Sequence, residues 1–113
     1  PLDAAVASRL WAELGARARQ RGAWDEALTL WQAWAAACPD AVEPCVEVAK
    51  YAEWMVHDLG LALAQTDAAL ARAAELPDRF ERALVIDGLQ HRRERLLRKI
   101  GRSSGAAADG QDV

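Results

Sequence analysis

The chain has 113 residues, of which 52% are hydrophobic, which suits one domain with a buried core and excludes most two-domain arrangements. Its net charge of −3 gives no overall attraction to nucleic acid or to an anionic membrane, and no apolar run is long enough to span a bilayer. The 26 alanines and 14 leucines favour helix, whereas aromatic and β-branched residues are too few for several buried strands. We therefore expect an all-α domain.

The first two predicted helices are separated by Gly22. Asp3 is a candidate N-cap, and apolar residues spaced three and four apart continue the first helix to about Arg21. Gly22 tolerates the left-handed conformation that commonly ends a helix. The second helix is predicted to begin near Trp24 and to end before Pro39.

Three further helices are predicted after Pro39. The third begins near Pro44 and runs to about His57, and the fourth covers about residues 61–75. The fifth covers about residues 79–100. Its apolar stripe consists of Phe80, Leu84, Leu89, Leu96, Leu97 and Ile100.

Two features modify the end of the chain. Gly88 costs about 1 kcal/mol relative to alanine inside a helix, which favours a bend there. Residues 101–113 have no apolar periodicity, and we predict that they form a disordered tail.

The helical part of the chain repeats with a period near 34 residues. The first and third helices share a pattern of large and small side chains at an offset of 34, and the second and fourth share one at 35. The matched pairs are Trp11 with Cys45, Leu14 with Val48, Gly15 with Ala49, Ala18 with Ala52, Ala27 with Ala62, Leu28 with Leu63, and Trp31 with Thr66.

The spacing in the first pair of helices resembles the tetratricopeptide repeat (TPR). The residues that carry the resemblance are Trp11, Leu14, Gly15, Ala27, Trp31 and Pro39. It implies a TPR-like α-solenoid of antiparallel helix hairpins over residues 1–100, with repeats at about 8–41 and 42–77 and a capping helix at about 79–100. The chain departs from the family in having Trp34 at a usually small position, Thr66 at the aromatic position of repeat 2, and Pro77 about three residues late.

A narrower resemblance covers residues 49–70, AKYAEWMVHDLGLALAQTDAAL, and the later stretch QHRRERLLRKI. Both are similar to the C-terminal helical-repeat region of bacterial ribonuclease-H-like exonuclease-domain proteins. In that family a metal-dependent nuclease-like domain precedes the region. The resemblance therefore implies a place in a larger protein and assigns no catalytic residue here.

The sequence carries no pattern typical of catalysis or of cofactor or metal binding. His57 and His91 are 34 residues apart, whereas metal-binding histidine pairs on helices usually sit three to five apart. Cys38 and Cys45 make no disulfide framework, which favours a cytoplasmic location and two buried thiols, although a bridge between them is geometrically conceivable. We expect no enzyme activity, no cofactor and no metal.

If the helix pairs stack, their first helices line an inner groove, which is the predicted binding surface for a protein or peptide segment. The candidate groove residues are Arg9, Arg19, Gln20, Lys50, Glu53 and Trp54. An exposed Trp54 would be a binding hot spot, while packing against the next pair is an equal alternative. Asparagine is absent, which disfavours the carboxylate-gripping mode of TPR proteins that uses Lys and Asn.

The last helix carries a local excess of positive charge, with six basic residues and one acidic residue between Gln90 and Arg102. Arg95, Arg98 and Arg102 share one helical face and are candidate phosphate contacts. Basic residues near a helix C-terminus also stabilise the helix dipole, and arginine-rich caps keep stacked helices soluble.

The sequence thus predicts a non-catalytic protein–protein interaction scaffold of TPR type within a larger protein. The alternative is a nucleic-acid-contacting accessory region of a ribonuclease-H-like nuclease that uses the arginine-rich last helix. A third interpretation is a homodimer that buries Leu96 and Ile100, because two repeats are fewer than usually suffice alone. We expect no membrane contact.

Overall fold

The computed structural model describes the backbone of residues 3–111 and the side chains of residues 3–104. This part of the chain is all-helical and contains no strand. The five helices are α1 (Ala4–Gln20), α2 (Trp24–Ala37), α3 (Glu43–Trp54), α4 (Leu59–Ala73) and α5 (Arg79–Gln111). None of them is both long and apolar enough to cross a membrane.

The first hairpin packs α1 closely against α2. A Cβ atom added at Gly15 would lie 2.5 Å from Nε1 of Trp31, so the glycine gives the indole ring its space. Ala18 and Ala27 are fully buried at the turn end of the hairpin. At the other end, Nε1 of Trp34 donates a hydrogen bond of 2.7 Å to Oγ of Ser8. The two helices are therefore antiparallel, and small residues set their separation.

The turn of this hairpin confirms the stop predicted at Gly22. Gly22 has a φ of 73°. Its N–H donates to the carbonyl of Arg19, and the N–H of Ala23 donates to the carbonyl of Ala18. These two bonds form a Schellman motif, which satisfies carbonyl groups that the end of α1 would leave free.

The second hairpin, α3 with α4, is covered by α5. Two apolar clusters hold the three helices together. One contains Val42, Cys45, Ala69, Ala73 and Leu89, and the other contains Ala52, Ala62 and Leu96. Leu89 packs beside Ala69, and Leu96 beside Ala62, so α5 runs antiparallel to α4.

The hairpins are joined by apolar packing and by one arginine. Val48 of α3 packs in a cluster with Trp31 and Trp34 of α2. Arg72 of α4 donates to the carbonyls of Ala35, Cys38 and Ala41 at 2.9–3.1 Å. Because a cation at a helix C-terminus is favourable, Arg72 stabilises the end of α2 and the loop that follows it.

The apolar stripe predicted for α5 is wrong at three of its six residues. Phe80 and Leu84 are each 76% exposed, and Leu97 is 42% exposed. The half-buried Val85 and Ile86 instead pack with Leu89 against α4. A helix turns only one face toward its neighbour, and Phe80 and Leu84 lie on the opposite side of the helix from Leu89.

The same structure corrects the predicted homodimer face. Leu96 is fully buried between α3 and α4 within the chain. It is therefore part of the core and cannot meet a second copy. Ile100 is half-buried one turn further along α5.

Helix ends differ most from the predicted positions at two places. Helix α5 continues through Gly88 to Gln111, so residues 101–111, predicted as part of a disordered tail, extend the helix; residues 112–113 lie outside the described part. Helix α3 ends at Trp54 rather than near His57, because His57 has a φ of 56°. Asp58 then caps α4 by accepting a 3.0 Å hydrogen bond from the N–H of Leu61.

Candidate functional site

A groove runs between α1 and α3, with α2 beneath it. Its floor consists of the indole rings of Trp31 and Trp34, both almost fully buried. The groove walls are formed by Ser8, Arg9, Ala12, Ala16 and Arg19 of α1 and by Glu43 and Glu47 of α3. The small side chains of Ala12 and Ala16, one turn apart, leave the floor open from above.

One end of the groove widens into an aromatic pocket. Its apolar lining is formed by Trp24, Trp31, Tyr51, Trp54 and Met55, and its polar lining by Arg19, Glu47 and Lys50. The rings of Trp24 and Tyr51 lie 6.3 Å apart in a tilted arrangement, which is within the range of a favourable aromatic contact. The pocket therefore combines packed aromatic walls with a charged rim.

The charged rim is weakly paired. Glu47 accepts from Arg19 and from Lys50, each at 3.4 Å. Both basic side chains are 45% exposed, so water screens the pairs. Such pairs contribute little to stability, and Arg19 and Lys50 remain able to turn toward a bound molecule.

A buried carboxylate lies at the junction of α3 and α5. The side chain of Glu53 has no exposed surface, and three cations of α5 surround it. Arg95 donates from Nη2 at 2.8 Å and from Nε at 3.2 Å, Lys99 donates from Nζ at 2.6 Å, and Arg92 donates from Nη1 at 3.2 Å. Glu53 is therefore fully partnered, which is the condition for burying a charge.

The cations determine how Glu53 titrates. Burial acts to raise the pKa of Glu53, but hydrogen bonds and charge from Arg95 and Lys99 outweigh it and hold the pKa below its ordinary value. For Arg92, burial and the neighbouring Arg95 lower the pKa, against the opposing effect of Glu53. Glu53 is thus a carboxylate at neutral pH.

Trp54 stands between the groove and α5. It is 55% exposed, and its ring lines the aromatic pocket. Nζ of Lys99 lies 4.0 Å from the ring centroid, and Cζ of Arg95 lies 5.8 Å from it. These cation–π contacts hold an exposed indole in one place.

Most of the predicted groove residues lie together. Arg9, Arg19, Lys50 and Trp54 all line the groove or its aromatic pocket. Gln20, at the end of α1, is exposed but does not line either one. The sixth residue, Glu53, is buried and faces the cations of α5 rather than the groove.

The predicted arginine strip does not act as one surface. Arg95 is bound to Glu53, whereas Arg98 and Arg102 are exposed and have no acidic partner among the described side chains. Arg93, beside the strip, pairs with Asp67 of α4 at 2.8 Å. Arg92, Arg95 and Lys99, spaced three and four apart, form the face that meets α3.

Two features of the site are not predicted by the sequence patterns above: the aromatic pocket and the role of Glu53. A signal for Glu53 exists, because it follows Ala49 by four residues and so shares the inward face of α3. No comparable sequence pattern predicts the contact between the rings of Trp24 and Tyr51, since these residues are far apart in sequence and belong to different helix pairs.

The two cysteines, between which a bridge was conceivable, are not bonded to each other. Cys38 and Cys45 carry free thiols, and burial raises the pKa of Cys45 despite the opposing charge of Arg72. Over the described residues, no group of three or more His, Cys, Asp or Glu side chains is arranged to hold a metal ion.

Comparisons with known proteins add no relative. No family model, no curated protein and no solved structure matches the chain.

Proposed function

We propose that the chain is a non-catalytic, TPR-like scaffold, part of a larger protein, that binds a segment of a partner protein in the groove between α1 and α3. The observation that carries the proposal is the groove itself, with Trp31 and Trp34 as its floor and the half-exposed Trp54 at one end. Apolar burial on rigid aromatic rings supplies affinity, and a polar rim orients the bound segment.

The internal repeat supports the TPR-like part of the proposal. Residues matched between the two hairpins share the same burial in most cases. In four pairs the residue of the first hairpin and its match in the second are both buried: Gly15 with Ala49, Ala18 with Ala52, Ala27 with Ala62, and Trp31 with Thr66. Helix α5 then covers the second hairpin, as a terminal helix of a stack does.

The nucleic-acid alternative has weaker support. Arg98 and Arg102 of the predicted strip are exposed and without an acidic partner in the described part, and Arg95 is already paired with Glu53. So short a strip neutralises few phosphates, and affinity for nucleic acid rises with the number neutralised.

A selection experiment tests the proposal. A random peptide library displayed on phage is selected against the chain, and enriched peptides are tested against an Ala16→Phe variant, which fills the groove. The matched control is Ala64→Phe, at an exposed position on α4. We expect enriched peptides to lose binding to Ala16→Phe and to keep it with Ala64→Phe, with both variants melting cooperatively. Failure to enrich any peptide, or equal binding to both variants, would contradict the proposal.

A further inference from the structure

We infer that the segment bound in the groove is acidic, with side-chain carboxylates at Lys50, Arg95 and Lys99 and a bulky apolar side chain in the pocket beside Trp54. This inference rests on the proposed function and names the chemistry of its ligand.

The first argument is the surplus of positive charge at this end of the groove. The cations that line the pocket or contact its Trp54 are Arg19, Lys50, Arg95 and Lys99, and the carboxylates within ion-pair distance of them are Glu47 and Glu53. Four positive charges therefore face two negative ones. Glu53 is buried, so a ligand in the groove meets the cations and not this carboxylate. The charge complementarity calls for an anionic partner.

The second argument is the supply of unused donors. A guanidinium has five N–H groups, and Arg95 directs only Nε and Nη2 toward Glu53. Lys99 has three donors and gives one to Glu53. The two side chains are 36% and 28% exposed, so a ligand can approach both from solvent. A carboxylate here gains charge-assisted hydrogen bonds without breaking the internal pair.

The third argument is the adjacency of these cations to an apolar pocket. Trp54 belongs to both regions, because its ring lines the pocket and lies 4.0 Å from Nζ of Lys99. Trp24, Tyr51 and Met55 complete the apolar lining. A ligand that uses the whole site therefore carries acidic residues within a few positions of a large apolar one.

A protein segment fits this site better than a nucleic acid does. The surplus charge lies at one end of the groove, and Glu43 lies further along its wall. A phosphate backbone that followed the groove would meet this carboxylate, whereas a peptide can place its acidic residues at one end only.

The test uses peptides enriched by the selection described above. Each is compared with a version in which every Asp and Glu is replaced by Asn and Gln, by tryptophan fluorescence titration. We expect the amide version to bind at least about tenfold more weakly than the acidic peptide. We also expect the affinity of the acidic peptide to fall when the salt concentration is raised from about 0.05 M to about 0.5 M. Lys50→Glu should weaken binding of the acidic peptide about fivefold to tenfold, whereas Arg98→Glu, on the exposed side of α5, should leave binding unchanged.

The outcomes separate the inference from the function on which it rests. Enriched peptides that are neutral or basic, or amide versions that bind equally well, would overturn the acidic ligand and leave the groove function standing. If the selection enriches no peptide at all, that result contradicts the groove function itself. Tighter binding of a twelve-nucleotide oligothymidylate than of any acidic peptide would overturn the inference in favour of a nucleic acid.

Discussion

Arg95 grips Glu53 with two nitrogens, at 2.8 and 3.2 Å, across the contact between α5 and α3. The bidentate geometry fixes the rotation of α5 about its axis as well as its distance from α3. Lys99, one turn later, is thereby held over the ring of Trp54. This ion pair with the buried Glu53 therefore both joins α5 to α3 and shapes the end of the groove.

Glu53→Gln should destabilise the chain by about 3–5 kcal/mol at neutral pH, because it removes the buried charge that partners three half-buried cations. Urea unfolding measures the change. The control is Glu94→Gln, at an exposed position on α5 with no ion pair among the described side chains. It should change the free energy of unfolding by no more than about 0.5 kcal/mol. Equal stability of the two variants would contradict the structural role of Glu53.

The difference between wild type and Glu53→Gln should shrink in acid. The native pKa of Glu53 is lowered relative to an unfolded value near 4.3, so its contribution is complete above that value and is lost as the pH falls through the native pKa. Urea unfolding at about pH 7, 5, 4 and 2.5 follows this loss. A gap that stays constant down to the most acidic point would show that Glu53 does not titrate as the structure requires.

Gly15→Ala should destabilise the chain by about 1–3 kcal/mol, because the new methyl group would lie 2.5 Å from Nε1 and 2.8 Å from Cδ1 of the buried Trp31. Gly15→Leu should be worse. The control is Gly88→Ala on α5, where no atom lies within 4 Å and the change should stabilise the helix by about 1 kcal/mol. Thermal melts that rank the two alanine variants in the reverse order would reject the close α1–α2 contact.

His57→Gly should stabilise the chain by about 1 kcal/mol. His57 holds a φ of 56°, a conformation that disfavours side chains with a Cβ atom. Gly22→Ala provides the opposite case, since Gly22 has a φ of 73° and alanine there should destabilise by about 1 kcal/mol. Denaturation midpoints that move in the same direction for both variants would argue against the left-handed turn at one of the two sites.

Leu14 and Val48 occupy matched positions of the two hairpins but differ in exposure, at 48% and 3%. Val48 is covered by α2, and no helix among the described residues covers Leu14 in that way. Val48→Glu should therefore lower the free energy of unfolding by more than about 3 kcal/mol, whereas Leu14→Glu should change it by no more than about 0.5 kcal/mol. Urea unfolding measures both changes. If both variants unfold, Leu14 is covered in solution and the matched positions are equivalent in packing as well.

Local signals predicted most of the fold. The helix ends near positions 22 and 39 were predicted from Gly22 and Pro39, and so was the start of α2 at Trp24. Glycine and proline act on the backbone within one or two residues, so their effect can be inferred from the sequence. The extension of α5 to Gln111 was not predictable from periodicity, because this stretch has no apolar face. Its alanines favour helix once the preceding turns are formed.

The candidate site was predictable only in part, because it depends on which face of α5 turns inward. Two faces of that helix carry three cations at the same spacing, one with Arg95, Arg98 and Arg102 and the other with Arg92, Arg95 and Lys99. The choice between them follows from Leu89 and Leu96, which pack against α3 and α4. Sequence spacing defines the faces of a helix, and tertiary packing selects one.

Binding in the groove is tested most directly by the indole N–H signals of the five tryptophans. The measurement is a ¹⁵N-edited NMR titration of the chain with a peptide enriched by selection. The structure predicts that Trp24, Trp31, Trp34 and Trp54, which line the groove and its pocket, shift together on binding. Trp11 packs against the same core but opens to solvent beside Leu10 and Leu14, away from the groove, and its signal should shift least. A shift of Trp11 with the other four unchanged would place the binding surface on α1 and contradict the groove.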